Sequence, residues 1–164
     1  MKCILFYIKK NEPHIVLTQR ATYNGTHSGQ ISFPGGKREI TDRDIIHTAL
    51  RETNEEIGVV EADVKVIGQL SQVYIPVSNF RVSPVVGIIN YSPQFVLDNY
   101  EVDELIVLKL SDLMNIKTLT PASIILPNKT TLSVPSFNFN AKIVWGATAL
   151  MLNELRWLLK EFKV

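Results

Sequence analysis

Three glutamates occupy one short stretch of the sequence, RETNEEIG, at residues 51–58. On a helix, Glu52, Glu55 and Glu56 would lie on one flank, because residues three and four apart share a face. Like charges at that spacing repel each other, which costs about 0.2–0.5 kcal/mol per pair on an exposed helix. Two interpretations follow: a solvated acidic face, or a site for a divalent cation that prefers oxygen ligands.

A turn upstream of this stretch could complete a cation site. Residues 34–36 read Pro-Gly-Gly and follow the apolar segment QISF at 30–33. Paired glycines allow the backbone to approach a ligand closely and to adopt positive φ. The carbonyl oxygen of Gly36 is therefore a candidate ligand beside the carboxylates, although the turn taken alone is equally typical of a chain reversal.

The helices that must position these residues can be read from the apolar pattern. Apolar residues at helical spacing predict a first helix over 46–57, which carries the three glutamates. Thr41 or Asp42 can cap its start, and Gly58 can end it. A second helix is predicted over 146–162. Its expected core contacts are Leu150, Leu155, Leu158, Leu159 and Phe162.

Short runs rich in Val, Ile and Tyr, bounded by turn residues, predict β-strands. They lie at 3–8, 14–20, 64–70, 82–89 and 105–110. The first two are expected to pair as a hairpin across residues 11–13, and Pro84 predicts a sheet edge or a bulge. Residues 114–140 are expected to form a long loop with short strands. The order of elements predicts a single domain over 1–164, either α+β or arranged in α/β/α layers.

Composition limits the classes of function. The chain has 164 residues with 17 Lys and Arg against 16 Asp and Glu, so no broad basic field favours nucleic acid or an anionic membrane. Attraction for an anionic ligand must therefore be local. Cys3 is the single cysteine, which excludes an internal disulfide, and it is expected in the core. Neither a signal peptide nor a membrane span is expected, and a cytoplasmic location is predicted.

The pattern GG-K-x₄-D-x₈-RE-T-x-EE-I-G at 35–58 resembles the Nudix box, the motif of hydrolases that act on nucleoside diphosphates linked to another moiety. That box ordinarily has glutamate where Asp42 stands, one residue fewer before Arg51, and an aliphatic residue at Thr53. The remaining positions of the box match. The segments on either side of the box indicate which branch of the family the chain resembles.

The flanking segments LTQR (17–20) and THSGQISFPGGK (26–37) resemble the coenzyme A diphosphatase branch, whose members share the aspartate and the extra residue. Residues 76–87 and 144–155 resemble further stretches of that branch, so the resemblance covers nearly the whole chain. One basic position departs, because Gly25 stands where the branch carries an arginine. Lys37, Arg38 or Arg43 could substitute for it.

The resemblance implies a Nudix-type α/β/α sandwich with a mixed β-sheet between helices, and Mg²⁺ or Mn²⁺ as cofactor. The implied metal ligands are Gly36, Glu52, Glu55 and Glu56. The implied catalytic residues are Glu52, Glu56, Arg51 and Glu101, with either helix glutamate or Glu101 as general base. The implied substrate contacts are Arg20, His27, Gln30 and Lys37.

Three functions remain open from the sequence. The first is metal-dependent hydrolysis of coenzyme A or its acyl or oxidised derivatives, and the second is a Nudix diphosphatase for ADP-ribose, dinucleotides or damaged nucleotides. The third is a binding module without activity, which the three retained glutamates disfavour. The expected partner is a small diphosphate, with no nucleic acid or membrane partner. A homodimer is compatible with the sequence.

Overall fold

The computed structural model describes residues 1–22, 28–125 and 130–162. Its strands are β1 (Lys2–Lys9), β2 (Glu12–Arg20), β3 (Ile31–Ser32), β4 (Lys65–Gln69), β5 (Val73–Ile75), β6 (Phe80–Val82), β7 (Pro84–Ile89), β8 (Val102–Lys109), β9 (Leu119–Ile125), β10 (Thr131–Phe139) and β11 (Lys142–Trp145). Its α-helices are α1 (Ile45–Ile57), α2 (Leu110–Met114) and α3 (Gly146–Glu161). Single 3₁₀ turns lie at Glu61–Asp63, Pro76–Ser78 and Ile116–Thr118.

Within the described residues, a six-stranded mixed sheet forms the centre of the fold. β2 pairs with β8 on one edge and with β1 and β3 on the other, and β7 and β4 follow β1. β1 and β7 run parallel, whereas the other pairs are antiparallel. The predicted β1–β2 hairpin is confirmed. Its turn lies at Lys10 and Asn11, whose φ angles of 52° and 61° suit a tight hairpin.

Successive side chains of β1 point to opposite faces of the sheet, and apolar residues of this strand contribute to the core on both faces. Cys3 and Leu5 pack in one buried cluster with Ile57 of α1. Ile4 packs in a second cluster with Leu152 of α3. The helices therefore cover opposite faces of the sheet, which confirms the predicted α/β/α layers and the buried position of Cys3.

The start of α1 differs from the prediction. Asp44 caps the helix, and its side chain accepts the His47 backbone N–H at 2.8 Å. Thr41 and Asp42 were the wrong candidates, because the carboxylate of Asp42 is buried and used elsewhere. Gly58 ends the helix as predicted, in the left-handed conformation with φ of 72°.

The prediction that Pro84 marks a sheet edge or a bulge is wrong. β7 pairs on both sides, with β1 and with β4. Pro84 is the first residue of the strand, a position where a missing backbone N–H is tolerated. The irregular register belongs to the partner strand β4, between Val66 and Gly68.

The prediction for 114–140 is only partly correct. Strands are present as expected, but in the described part of this range they form an antiparallel pair, β9 and β10, which β11 extends, and not a long loop. Pro121 and Pro135 lie opposite each other in this pair. Two prolines interrupt the strand signal in the sequence, since proline is depleted in strands. Phe137 and Phe139 are buried and attach the pair to the core.

The predicted inward face of α3 is only partly correct. Leu155 is buried, but Leu150 is 60% exposed and Phe162 is 76% exposed. Met151 and Leu152 fill the core instead, so the buried face is rotated from the predicted one. No helix in the described ranges is both long and apolar enough to cross a membrane.

Candidate active site

The acidic flank of α1 lies against the Gly35-Gly36 turn. The backbone N–H of Gly35 donates to Glu56 Oε2 at 3.3 Å. A Cβ built on Gly36 would lie 2.1 Å from Glu52 Oε2, so the absent side chain lets that carboxylate rest against the backbone. Gly35 has φ of 133°, and a Cβ there would lie 2.3 Å from the carbonyl oxygen of Met1. Only glycine fits at both positions, because neighbouring atoms lie where a Cβ would be.

Burial distinguishes the three glutamates. Glu56 is only 4% exposed, and Glu52 is half-buried. The side chain of Glu55 is 56% exposed and points toward Arg51. Two of the predicted metal ligands thus face the glycine turn, while the third lies on the outer side of the helix.

Arg51 connects the acidic flank to the loop before α1. Its Nε and Nη2 donate to the two carboxylate oxygens of Asp42 at 2.9 and 3.1 Å. Its Nη1 donates to Glu55 Oε2 at 2.7 Å, and its Nη2 donates to Glu52 Oε1 at 3.0 Å. Arg51 thus pairs with Asp42 and with Glu55 at the same time. Arg51 consequently orients two of the helix carboxylates.

The surroundings move the proton affinities of these acids in opposite directions. Hydrogen bonds from Arg51 hold the pKa of Asp42 well below its ordinary range. Burial raises the pKa of Glu52, and Arg51 partly offsets that rise. Burial also raises the pKa of Glu56, against the opposing charge of Lys2. Glu52 and Glu56 therefore accept a proton more readily than an ordinary glutamate does.

A lysine that sequence reasoning missed lies at the same turn. Lys2 Nζ donates to the Gly35 carbonyl at 2.6 Å and to Ser32 Oγ at 3.2 Å. Burial lowers the pKa of Lys2 to about 8, and Glu56 is the chief charge that opposes this. The available signal was a lysine directly before a continuous apolar run. Its contact with a turn 33 positions away appears only in the folded chain.

Arg20 and Glu101 lie at the rim of the site. Arg20 ends β2, and its buried Nε has no hydrogen-bond partner in the described part of the chain. Its positive charge helps to lower the pKa of Glu56. Glu101 is exposed, and its negative charge contributes to the raised pKa values of Glu52 and Glu56. The structure thus places both predicted residues near the acidic flank.

The remaining predicted substrate contacts are spread more widely. The carbonyl of Gln30 accepts the backbone N–H of Arg20 at 3.0 Å, which places Gln30 beside the rim. Lys37 is exposed, and its Nζ lies over the ring of Phe80, 5.1 Å from the centroid. His27 lies outside the described residues.

The donor set at the turn suits a hard divalent cation. Glu52 and Glu56 offer carboxylates, and the carbonyl of Gly36 already accepts a positive group, the α-ammonium of Met1. Mg²⁺ is commonly bound by one or two carboxylates, with waters and substrate phosphates as further ligands. Among the residues described, no three His, Cys, Asp or Glu side chains converge as a metal site. The structure therefore offers two carboxylates and one carbonyl, with Glu55 engaged by Arg51.

Comparison with known protein sequences points to one family. Residues 3–128 match the family model described as NUDIX domain. The chain is 36% identical over 143 residues to a protein of Pectobacterium atrosepticum named Uncharacterized Nudix hydrolase NudL. That match covers 87% of this chain and 73% of the relative.

Solved structures show a similar fold. A Nudix hydrolase from M. smegmatis, RenU, matches with a TM-score of 0.65 at 13% identity, over 99% of this chain and 86% of that one. The NUDIX domain of Shewanella oneidensis NrtR, complexed with ADP ribose, matches with a TM-score of 0.52 at 18% identity, over 69% and 73%. At these identities the likeness concerns the fold, and it supports the layered architecture.

Proposed function

Because the chain belongs to the Nudix hydrolase family, whose members act on nucleoside diphosphate derivatives, we propose that it cleaves the diphosphate bond of coenzyme A or of its acyl or oxidised derivatives. The products would be (acyl-)4′-phosphopantetheine and adenosine 3′,5′-bisphosphate. One observation carries the proposal: the glycine pair of QISFPGGK (30–37), a segment that resembles the coenzyme A branch, lies directly against the acidic flank. Gly35 bonds to Glu56 there, and Gly36 lies against Glu52.

Nudix hydrolases generally use divalent metal ions, and Mg²⁺ or Mn²⁺ is the cofactor proposed here. Glu52, Glu56 and the carbonyl of Gly36 would hold it, with Glu55 as the further ligand that the family resemblance implies. Bound metal would neutralise phosphate charge and acidify a water molecule. Arg51 would keep Glu52 in place, since its Nη2 donates to Glu52 Oε1 at 3.0 Å.

The proposed reaction needs a group that accepts a proton from the attacking water. A new P–O bond forms as the bridging P–O bond breaks, and the proton of the water passes to a carboxylate. Glu52 and Glu56 suit this role because burial raises their pKa values, and catalytic bases work best near the operating pH. Glu101 at the rim is the third candidate.

The proposed phosphate contact is Arg20. Its buried Nε has no partner in the described ranges, and a buried unpaired donor is costly unless a ligand satisfies it. A guanidinium is also suited to bidentate binding of phosphate. Gln30, Lys37 and His27 complete the proposed set of substrate contacts.

A substrate panel tests the assignment. Purified protein with Mg²⁺ or Mn²⁺ is given coenzyme A, an acyl derivative, dephospho-coenzyme A and ADP-ribose, and the products are identified by mass spectrometry. We expect coenzyme A and its acyl derivative to give the highest kcat/KM, and excess EDTA to abolish turnover. Faster cleavage of ADP-ribose than of coenzyme A would contradict the substrate assignment, and full turnover in EDTA would contradict the metal site.

Charge-removing variants test the proposed residues. Glu52→Gln and Glu56→Gln are each expected to lower kcat by about 10²-fold or more, the range of general-base and metal-ligand losses. Glu161→Gln is the matched control, because Glu161 is exposed at the end of α3. Wild-type turnover in a Glu55→Gln, Glu56→Gln double variant would show that the reaction centre lies elsewhere.

The second candidate is a Nudix diphosphatase for ADP-ribose, dinucleotides or another nucleoside diphosphate derivative. Gly25 favours it, because the coenzyme A branch carries an arginine at that position. Comparison of coenzyme A with its dephospho form discriminates between the two candidates, since of these two compounds only coenzyme A has a 3′-phosphate, which requires a basic partner. Equal rates with and without that phosphate would favour the second candidate.

The proposal includes a cytoplasmic location and a small diphosphate as the binding partner. It includes no binding to nucleic acid or to a membrane. A homodimer belongs to the proposal as well. Light scattering on the purified protein measures its mass against the 18.5 kDa of one chain. A mass near one chain would contradict the dimer and leave the substrate assignment unchanged.

A further inference from the structure

Lys2 occupies an unusual position for a lysine. It begins β1, where the next three residues are fully buried, and its backbone N–H donates to the Ser83 carbonyl at 3.2 Å. On the other side, the N–H of Cys3 donates to the Pro34 carbonyl at 2.9 Å. The chain on both sides therefore holds this lysine at the base of the glycine turn. Lysine is rarely taken out of water without a partner that compensates the charge.

Gly35 connects Lys2 to the acidic flank. Its carbonyl accepts Lys2 Nζ at 2.6 Å, and its N–H donates to Glu56 Oε2 at 3.3 Å. The two polar groups of one glycine residue thus contact an ammonium and a carboxylate. The charged groups that interact with Lys2 are Glu56, Glu52, Glu101, Arg20 and the α-ammonium of Met1.

We propose that Lys2 is a fixed positive charge of the active site that weakens divalent-cation binding at Glu56, so that lysine supplies part of the charge that metal would otherwise supply. The proposal rests on the metal-binding site proposed above. Lys2 is a positioning residue, because it acts on the metal through Gly35 and Glu56. The physical basis is repulsion between two cations that both interact with the buried carboxylate of Glu56.

A purely structural role makes the opposite prediction. If Lys2 only tethers the turn through Gly35 and Ser32, its removal would loosen the glycines and displace the ligands. Metal binding would then become weaker. The sign of the change in metal affinity therefore separates a fixed charge from a tether.

Four variants of the whole chain carry the test. Lys2→Met removes the charge and the donor but keeps an unbranched side chain of similar length. Lys2→Gln removes the charge and keeps an N–H donor for the Gly35 carbonyl. Lys2→Arg keeps the charge. Lys9→Met is the matched control, because Lys9 is exposed at the other end of β1, roughly 23 Å away at 3.3 Å per residue and beyond the Debye length.

The measurement is the dissociation constant of Mn²⁺ alone, by electron paramagnetic resonance at pH 7, with thermal unfolding of the same samples. We expect Lys2→Met and Lys2→Gln to bind Mn²⁺ about tenfold more tightly than wild type, which corresponds to about 1.4 kcal/mol. Lys2→Arg and Lys9→Met should stay within about twofold, because neither changes the charge at Glu56. Mn²⁺ should also raise the unfolding temperature of Lys2→Gln more than that of wild type.

Unchanged or weaker Mn²⁺ binding in folded Lys2→Gln overturns the proposal, and so does tighter binding in Lys9→Met. If Lys2→Met does not fold, the Mn²⁺ affinity of Lys2→Gln alone tests the proposal. The result for Lys2 can be distinguished from the result for the proposed function. Tighter Mn²⁺ binding without turnover of any diphosphate would support the role of Lys2 and contradict the reaction. Turnover with unchanged Mn²⁺ affinity in Lys2→Gln would support the reaction and overturn the role of Lys2.

Discussion

Replacement of Gly36 by alanine moves the carboxylate of Glu52 by a distance that the structure defines. A Cβ at residue 36 would lie 2.1 Å from Glu52 Oε2, whereas ordinary contact begins at 3.4 Å. The carboxylate must therefore retreat by about 1.3 Å, the difference between these separations. That shift strains the bond in which Arg51 Nη2 donates to Glu52 Oε1 at 3.0 Å.

A displacement of about 1 Å at a reacting centre can lower the rate about 10²-fold, or about 2.7 kcal/mol in activation free energy. We expect that loss in kcat/KM for coenzyme A with Mg²⁺ in Gly36→Ala. The fold should survive, because the displaced group is the end of a flexible side chain and Gly36 lies outside the left-handed region. The unfolding temperature should therefore stay within a few degrees of wild type, roughly the effect of about 1 kcal/mol.

Gly68→Ala is the control for this experiment. It makes the same chemical change at a glycine outside the left-handed region, where a Cβ would meet no described atom within 4 Å. Wild-type kcat/KM in Gly36→Ala would refute the argument that Glu52 must rest against the turn. An equal loss in Gly68→Ala would show that the effect does not come from the Glu52 contact.

Three further predictions concern the neighbouring groups. Burial raises the pKa of Glu56, so above the ordinary value of 4.5 its ionised form destabilises the fold. In EDTA at pH 7, Glu56→Gln should therefore have an unfolding temperature no lower than that of wild type. Added Mn²⁺ should raise the unfolding temperature of wild type but not that of Glu56→Gln. Arg51 lowers the pKa of Asp42, so its ionised form stabilises the fold above the ordinary value of 3.8 and this stability is lost as pH falls through the lower folded value. Asp42→Asn should thus lower the unfolding temperature at pH 7, and a deficit that persists unchanged far below pH 3.8 would contradict this. Asp44→Ala removes the cap of α1 and should cost about 1 kcal/mol, which calorimetry would record as a decrease of about 2–4 °C.

Local patterns predicted much of the fold. The helical spacing of apolar residues located α1 within one residue of its start, and Gly58 ended it as predicted. The predicted capping residues of α1 were wrong because Asp42 and Asp44 are both suitable N-caps by residue type. Only the burial of Asp42 against Arg51 distinguishes them. The prediction that Leu150 of α3 is buried failed for a related reason, since the exposure of Leu150 depends on which strands the helix covers.

The sequence by itself determined that Arg51, Glu52, Glu55 and Glu56 share a helix, because contacts three to four residues apart follow from helix geometry. It also determined that a glycine pair precedes that helix. Only the tertiary structure decided that Glu56 is buried under the glycine turn, that Glu55 faces outward, and that Lys2 reaches Gly35. Those contacts join segments far apart in the chain, and they depend on how β1 lies between β7 and residues 34–36.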